Sequence, residues 1–251
     1  MKKKKGLGQH FLHEKHYLKK IVECCPVENE EVLEIGAGTG NLTEYLAKKA
    51  KKVYAVEKDP EAFELLKSKN IPGVEPILGD ILELELEFFE QGVAAGNLPY
   101  YISSSIIRKF LEFRDRFKAG CFLLQREVAI RFLSTRGRQV TPLALLLQNY
   151  YEGTLKFNIP PGAFSPPPKV ESSFIVFKRR TSPLFDVPLD KFEKFLRVAF
   201  SNRRKTLFNN LRNVYDENML NFPRKLRVEE MELGEFVRIF SDIMVNNEEK
   251  S

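Results

Sequence analysis

The 251-residue sequence contains no tryptophan and only three cysteines, Cys24, Cys25 and Cys121. Their spacing does not match the C-x-x-C of a zinc site or redox pair, so we expect no metal centre. No apolar run approaches the roughly 18 residues that a bilayer span requires. The basic start, M-K-K-K-K-G, is not followed by the apolar stretch of a secretory signal. These absences predict a cytoplasmic protein without a membrane anchor.

Charge is unevenly distributed along the chain. The net charge is +6, and residues 1–20 alone hold seven lysines and one glutamate, which accounts for the whole excess. Residues 75–90 carry six acids and no base, whereas bases cluster at Arg179 with Arg180 and at Arg203 with Arg204 and Lys205. Such segregation favours a face that binds a polyanion, with ordinary solvated charged faces as the alternative.

The first 180 residues alternate β-rich runs with helical patterns, which predicts an α/β fold with a mostly parallel sheet. We expect seven strands, at residues 31–35, 52–57, 74–78, 92–97, 120–125, 154–158 and 172–178. Asp59 before Pro60 and Thr141 before Pro142 predict two helix starts, because each offers a capping oxygen followed by a proline at the first helical position.

A proline-rich segment separates the last two predicted strands. Residues 159–169, I-P-P-G-A-F-S-P-P-P-K, hold five of the 14 prolines, which excludes a helix or a central strand. Beyond Thr181 the apolar spacing is helical. We therefore predict a catalytic domain over residues 1–180 and a small all-α domain over 181–251, and a monomer as the default.

The ends of the first three strands of the α/β pattern carry a candidate nucleotide site. E-I-G-A-G-T-G, residues 34–40, puts Gly36, Ala37 and Gly38 at a strand-to-helix turn, where glycine lets the backbone approach a ligand. Glu57 ends the second strand and Lys58 follows it, and an acid there can accept both ribose hydroxyls. Asp80 and Ile81 follow the third strand and could contact an adenine. The set fits S-adenosylmethionine, or less well NAD.

The fourth strand ends in N-L-P-Y, residues 97–100. Asn97 then lies at the carboxyl edge of the sheet beside the cofactor. N-L-P-Y resembles the catalytic motif of methyltransferases that modify exocyclic amino groups, which implies a target such as adenine N6. The N6 lone pair is delocalised into the ring, and the Asn97 side-chain oxygen with the Leu98 carbonyl can accept the two N6 hydrogens and relocalise it. Pro99 fixes the turn, and Tyr100 offers a ring for a flipped base.

Further segments of the sequence, together with N-L-P-Y, resemble one family, the ribosomal RNA adenine N6,N6-dimethyltransferases. L-G-Q-H-F-L, residues 7–12, resembles the family segment over the methionine part of the cofactor, which implies roles for Gln9, His10 and Leu12. The proline-rich loop resembles the family segment whose aromatic, here Phe164, packs on the target adenine opposite Tyr100.

A third segment discriminates within the family. A-F-S-N-R-R-K-T-L-F-N-N-L, residues 199–211, is similar to the run found in the housekeeping enzymes of the small subunit. The resemblance implies a Rossmann-like class I methyltransferase fold, S-adenosylmethionine as cofactor, and dimethylation of two adjacent adenines in a hairpin near the 3′ end of 16S rRNA. It also implies an assembling 30S particle as substrate, with the basic clusters gripping rRNA phosphates.

Three alternatives stay open at this point. A macrolide-resistance methyltransferase would act on large-subunit rRNA, and a non-enzymatic assembly factor would keep the RNA grip without methyl transfer. A DNA adenine methyltransferase would be expected to carry D-P-P-Y and a DNA-reading insert, and the sequence shows N-L-P-Y instead.

Overall fold

The computed structural model describes residues 10–248, with side chains up to residue 245. The strands are β1 (Phe11–Leu12), β2 (Glu31–Ile35), β3 (Lys52–Glu57), β4 (Val74–Leu78), β5 (Gly92–Asn97), β6 (Phe117–Gln125), β7 (Tyr151–Ile159), β8 (Phe164–Ser165) and β9 (Ser172–Arg179). The helices are α1 (Lys15–Cys24), α2 (Thr43–Leu46), α3 (Pro60–Ser68), α4 (Ser103–Glu112), α5 (Arg126–Leu133), α6 (Pro142–Tyr150), α7 (Leu189–Ala199), α8 (Leu207–Leu211) and α9 (Leu233–Glu248).

Seven strands form one sheet in the order β4-β3-β2-β5-β6-β9-β7. Strands β2 to β6 pair in parallel, and β9 runs antiparallel to β6. The inner parallel strands β2, β3, β5 and β6 are nearly continuous buried runs, because helices connect the strands and cover the sheet, whereas the edge strand β4 is partly exposed. The predicted α/β class and all seven strands are confirmed; β6 and β7 begin three residues earlier than predicted.

The order of the strands indicates where a ligand can bind at the edge of the sheet. The chain moves outward from β2 to β3 and β4, then returns to β5 on the other side of β2. The carboxyl ends of β2 and β5 therefore flank the point where the winding reverses, which is where open parallel sheets bind ligands. Close strand contact at this point depends on Gly96, since a Cβ there would lie 2.4 Å from the Ile35 carbonyl oxygen.

Both predicted helix caps are present. The Asp59 side chain accepts from the Glu61 N–H at 2.9 Å, and the Thr141 hydroxyl accepts from the Ala144 N–H at 3.2 Å. Each cap satisfies a backbone donor that the first turn of a helix leaves unpaired.

A second sheet of two strands is present that the sequence pattern does not predict. Strand β1 pairs antiparallel with β8, which lies within the proline-rich loop, so that Phe11 faces Ser165 and Leu12 faces Phe164. Two residues per strand give almost no periodic signal, and the pairing joins positions more than 150 residues apart. The N-terminal segment is thereby attached to the proline-rich loop.

The chain forms two compact units. One comprises residues up to Ala129 together with Glu152–Arg179, and the other comprises Ile130–Tyr151 with the chain from Arg180 onward. The prediction had placed residues 130–151 in the first domain. They belong to the second because α6 packs against α7 and α9, and its apolar residues from Leu143 to Leu147 are buried.

Candidate active site

A cleft of about 770 Å³, a volume that includes the solvent space at its mouth, opens at the carboxyl edge of the sheet. Its lining comes from the carboxyl ends of β2, β3, β4 and β5 with the turns that follow them, and from the start of β1. These residues include His10, Phe11, Gly36, Gly38, Glu57, Lys58, Asp80, Ile81, Asn97, Leu98, Pro99, Tyr100 and Tyr101. The glycine turn, the two acids and the N-L-P-Y turn, separated by up to 64 positions in the sequence, therefore share one cavity.

The glycine turn at residues 36–40 contains residues in the left-handed backbone region. Gly36 and Gly38 have φ of +71° and +57°, a region that other residues enter at a cost. A Cβ on Gly38 would lie 2.8 Å from the Phe11 ring. The turn is thus shaped both by its own backbone and by β1, because the Phe11 ring occupies the position that a Gly38 side chain would take.

Glu57 is nearly buried and supports the turn. Its two carboxylate oxygens accept from the Gly38 N–H at 2.7 Å and from the Asp59 N–H at 2.8 Å. Burial raises the pKa of Glu57, and these backbone donors act against the rise. Each oxygen keeps lone-pair capacity for a further donor such as a ribose hydroxyl.

Asp80 pairs with Lys58 across the cleft rim. The Lys58 Nζ donates to Asp80 Oδ2 at 2.5 Å, and Asp80 Oδ1 accepts from the Leu82 N–H at 2.9 Å. Burial acts to raise the pKa of Asp80, but the bonds from Lys58 and Leu82 prevail and hold it below its usual value. Asp80 therefore stays ionised, and the neighbouring Ile81 is buried and apolar.

The N-L-P-Y turn is anchored from two sides. The Leu98 N–H donates to the Leu123 carbonyl at 3.1 Å, which fixes the turn to β6. The Asn97 Nδ2 donates to the His10 backbone carbonyl at 2.7 Å. An amide whose nitrogen is held in this way presents its oxygen Oδ1 as the acceptor for another molecule.

Tyr100 lies between His10 and Ser172. Its hydroxyl is 2.5 Å from Ser172 Oγ, and its ring centroid is 5.3 Å from that of His10, with the planes tilted by 30°. His10 Nδ1 is 2.7 Å from the Pro166 carbonyl oxygen, which requires Nδ1 to carry the proton. Burial raises the pKa of the Tyr100 hydroxyl, so it stays neutral and available for this bond.

The proline-rich loop places Phe164 differently from the expectation. Phe164 is 2% exposed and belongs to the apolar core beside Leu12, and the described residues that line the cleft do not include it. The β1–β8 pairing turns its ring inward. The ring beside Tyr100 is that of His10, which the sequence analysis had assigned to the cofactor. Contact of Phe164 with a base stays a prediction and requires the ring to leave the core.

The remaining predicted site residues near the N-terminus have different outcomes. Leu12 is buried, and its carbonyl accepts from the Asn41 Nδ2 at 3.0 Å, which ties β1 to the chain after the glycine turn. Gln9 lies outside the described residues. Ala37 borders an adjoining recess of about 450 Å³, together with Gly36 and Asn97.

This recess contains a buried carboxyl that sequence reasoning missed. Glu34 is 2% exposed, and its Oε2 has no hydrogen-bond partner within the part of the chain that the structure describes. Burial raises the pKa of Glu34 to about 8. The sequence signal was an acid inside an apolar strand, E-V-L-E-I, directly before the glycine turn.

The predicted RNA-binding arginines differ in their surroundings. Arg179 donates to Asp115 through both the carbonyl and the carboxylate, and Arg180 Nε donates to the Gln148 carbonyl at 3.1 Å. Arg203 also has backbone partners, whereas Arg204 and Lys205 are exposed.

The described residues were also searched for metal-binding groups and membrane-spanning helices. Among residues 10–248, no group of three or more His, Cys, Asp or Glu side chains could hold a metal ion. No helix within the same range has both the length and the apolar character needed to cross a membrane.

Comparison with known proteins gives the family. The family model described as ribosomal RNA adenine dimethylase matches residues 1–243. Among curated relatives, the ribosomal RNA small subunit methyltransferase A of Caldanaerobacter subterraneus subsp. tengcongensis is 42% identical over 84% of this chain and 83% of its own. The protein of the same name from Mycoplasmopsis pulmonis is 34% identical, and the match covers 97% of this chain and 100% of the relative.

Solved structures agree. A dimethyladenosine transferase from Plasmodium falciparum superposes with a TM-score of 0.82 at 26% identity, covering 95% of this chain and 98% of its own. The 23S rRNA methyltransferase ErmE, at 24% identity, has a TM-score of 0.76 and covers 93% and 99%, which supports the fold alone. The family-model match and these relatives show that the chain, with its methyltransferase fold and its N-L-P-Y turn, belongs to the ribosomal RNA adenine dimethylase family of S-adenosylmethionine-dependent enzymes.

Proposed function

We propose that this protein dimethylates N6 of two adjacent adenines in a hairpin near the 3′ end of small-subunit rRNA, within an assembling 30S particle in the cytoplasm. It acts as a monomer and without a metal ion. The observation that carries the proposal is the Asn97 amide, whose nitrogen is bound to His10 and whose oxygen is left for the acceptor base at the cofactor cleft. The names of the curated relatives support the small subunit as substrate.

The residues present fit S-adenosylmethionine, because an open glycine turn, an acid with free acceptor capacity and a buried apolar residue follow three successive strands. Gly36 and Gly38 would admit the cofactor against the backbone, Glu57 would accept from the ribose, and Asp80 with Ile81 would hold the adenine. When bound, the cofactor supplies an electrophilic methyl group on a positively charged sulfur.

The protein prepares the target nitrogen. Asn97 Oδ1 and the Leu98 carbonyl accept the two N6 hydrogens of an extruded adenine, which favours a tetrahedral amine with its lone pair on nitrogen. Pro99 holds the turn that aims this carbonyl. Tyr100, fixed by Ser172 and His10, supplies the stacking surface, which is worth about 1 to 3 kcal/mol per base at comparable sites.

The second transfer requires a rotation of the base. A monomethylated amine keeps one N–H, so its methyl group must turn away from one of the two acceptors before N6 can be attacked again. Spare room beside N6 in the cleft is therefore required. The aminium product is acidic enough to release its proton to water, and no protein base is needed.

Methyl transfer from labelled S-adenosylmethionine tests the proposal. Undermethylated small subunits and undermethylated large subunits are incubated in parallel, and the digested RNA is analysed by mass spectrometry. We expect dimethyladenosine in small-subunit rRNA alone, with Asn97→Ala as the inactive control.

The alternatives predict other results. Label in large-subunit RNA would identify an enzyme of the resistance type. Tight binding to the small subunit without label on either RNA would identify an assembly factor that does not transfer methyl groups.

A further inference from the structure

Glu34 is a buried acid that the proposed function does not use. It lies in β2, and its partners on the two neighbouring strands are Ala55 and Ala95, so the side chains that flank its carboxyl on that face of the sheet are short. Glu34 is 2% exposed, and its Oε2 has no hydrogen-bond partner in the described part of the chain. A buried acceptor without a donor is costly, which makes Glu34 a candidate partner for a donor on a bound molecule.

The recess that contains Glu34 adjoins the cofactor cleft. Phe11, Gly36 and Asn97 line both spaces. A Cβ on Gly36 would meet no atom closer than 3.8 Å, so the space beside this glycine is open. The other side chains that line the recess are mainly apolar, and these are Leu12, Leu18, Ile21, Leu42, Leu123 and Phe174. A ligand bound against the glycine turn can therefore extend a polar end towards Glu34.

The groups around Glu34 favour its neutral form. Burial raises its pKa to about 8, the Thr43 hydroxyl of α2 acts against the rise, and the Glu57 carboxylate at the end of β3 adds to it. The Thr43 hydroxyl is itself buried and makes no hydrogen bond within the described range. The described lining of the recess receives no further charged side chain from α1, β1, β5, β6 or β9. Glu34 therefore keeps its proton near neutral pH until a cation approaches.

We propose that Glu34 binds the α-ammonium group of the methionine part of S-adenosylmethionine and gives up its own proton in doing so. The carboxyl O–H bond breaks, the proton passes to solvent, and the electron pair stays on the carboxylate, whose charge the ammonium balances. An ammonium supplies both an N–H donor for Oε2 and a positive charge that favours the ionised acid. This role rests on the proposed binding of the cofactor at the glycine turn, but it holds whichever RNA is methylated.

The other charged groups of the cofactor fit the recess less well. The sulfonium carries a positive charge but has no hydrogen to donate to Oε2. The methionine carboxylate would meet an acid at Glu34 and no Lys, Arg or His among the described lining residues, and two carboxylates repel each other strongly away from water. The ammonium is thus the group whose charge and donors match an unpartnered acid.

Calorimetry in buffers of different ionisation enthalpy counts the released proton. S-adenosylhomocysteine is titrated into the wild type at about pH 7 in phosphate, HEPES and Tris, because it keeps the ammonium and cannot donate a methyl group. The slope of the observed binding enthalpy against the ionisation enthalpy of the buffer gives the number of protons exchanged. For a group whose pKa is about 8 in the free enzyme, we expect the release of about 0.9 proton.

Two variants assign the proton to Glu34. Glu34→Gln keeps the size of the side chain and an acceptor oxygen but has no proton to lose, so binding should release almost none. Glu31→Gln is the matched control, because Glu31 lies in the same strand, is partly exposed and is not among the described lining residues. It should release as much as the wild type. Equal release by Glu34→Gln and the wild type would overturn the proposal, and so would wild-type enthalpies that do not depend on the buffer.

A shortened ligand separates Glu34 from Glu57, whose pKa is also raised by burial. 5′-Methylthioadenosine keeps the ribose that Glu57 would bind but lacks the amino and carboxyl groups. We expect no proton release with this ligand, and a release equal to that of S-adenosylhomocysteine would assign the proton to the ribose side and contradict the role of Glu34. The comparison uses the wild type alone, so it decides the question even where a thermal unfolding curve shows that Glu34→Gln does not fold.

The affinity for the ligand should depend on the same proton. The complex holds fewer protons than the free enzyme, so the Kd of S-adenosylhomocysteine should fall as the pH rises. The fall should be up to about tenfold per pH unit below about pH 8 and should level off above it. Glu34→Gln should show a flat Kd over the same range, and parallel curves for the two proteins would contradict the proposal.

The proposed function fails by a different result. Proton release without methylation of small-subunit rRNA would leave the role of Glu34 intact and exclude the proposed substrate. Normal methylation together with binding enthalpies that do not depend on the buffer would support the substrate and exclude the role of Glu34.

Discussion

The side-chain nitrogen of Asn97 donates to the backbone carbonyl of His10 at 2.7 Å, across 87 positions of sequence. This bond fixes which end of the amide faces the cleft. A residue chosen for its chemistry is thus oriented by the main chain of the N-terminal segment.

Asn97→Ala should leave the dissociation constant for S-adenosylmethionine largely unchanged and lower kcat by about two to three orders of magnitude, because the lost acceptor acts mainly in the transition state. Asn97→Asp keeps an acceptor but cannot donate to His10, so we expect an intermediate kcat. Calorimetry for binding and single-turnover methylation for rate provide the check. Near-normal turnover in the alanine variant would contradict the assigned role.

His10→Ala removes the ring beside Tyr100 and the bond to the Pro166 carbonyl. If His10 positions the acceptor half of the site, kcat falls while the affinity for S-adenosylmethionine stays near the wild-type value. His13→Ala, at an exposed position nearby, is the matched control and should behave as the wild type. A loss of cofactor affinity with unchanged kcat would instead return His10 to the cofactor role inferred from the sequence.

Gly38→Ala and Gly73→Ala separate backbone strain from steric overlap. Both glycines have positive φ, so both variants should lose about 1 kcal/mol of stability. Only at Gly38 would the new Cβ meet a neighbour, the Phe11 ring at 2.8 Å, whereas Gly73 has no described atom within 4 Å. Cofactor affinity measured by calorimetry should therefore fall in Gly38→Ala alone, and an equal loss in both would exclude the steric explanation.

Glu34 should make stability depend on pH. Its folded pKa of about 8 lies above the ordinary value of 4.5, so the folded state binds the proton more tightly than the unfolded state does. The stabilisation is complete below about pH 4.5 and is lost as the pH rises to about 8, with a total on the order of a few kcal/mol. Urea unfolding of Glu34→Gln between pH 5 and 8 should show a flatter dependence than the wild type; parallel curves would show that Glu34 does not titrate in this range.

The glycine turn, both acids and the N-L-P-Y turn could be predicted because each follows a strand with a clear pattern, and parallel strands end at one edge of the sheet. The ring beside Tyr100 could not, because it depends on a two-residue pairing between β1 and β8 that leaves no periodic signal. The backbone contacts of Arg203 could not be predicted either. Its neighbours suggest a solvent-facing base, and only the fold brings the Arg138 and Val140 carbonyls to it.

The span of these contacts sets an order for building the site during synthesis. Glu57 with Gly38, and Asp80 with Lys58, join residues only 19 and 22 positions apart. Tyr100 with Ser172, and His10 with Pro166, join residues 72 and 156 positions apart, and closing longer loops costs more entropy. A nascent chain can therefore complete the glycine-turn side of the cleft while the Tyr100 side still awaits the proline-rich loop, which makes the Tyr100 side the later half of the cleft to mature.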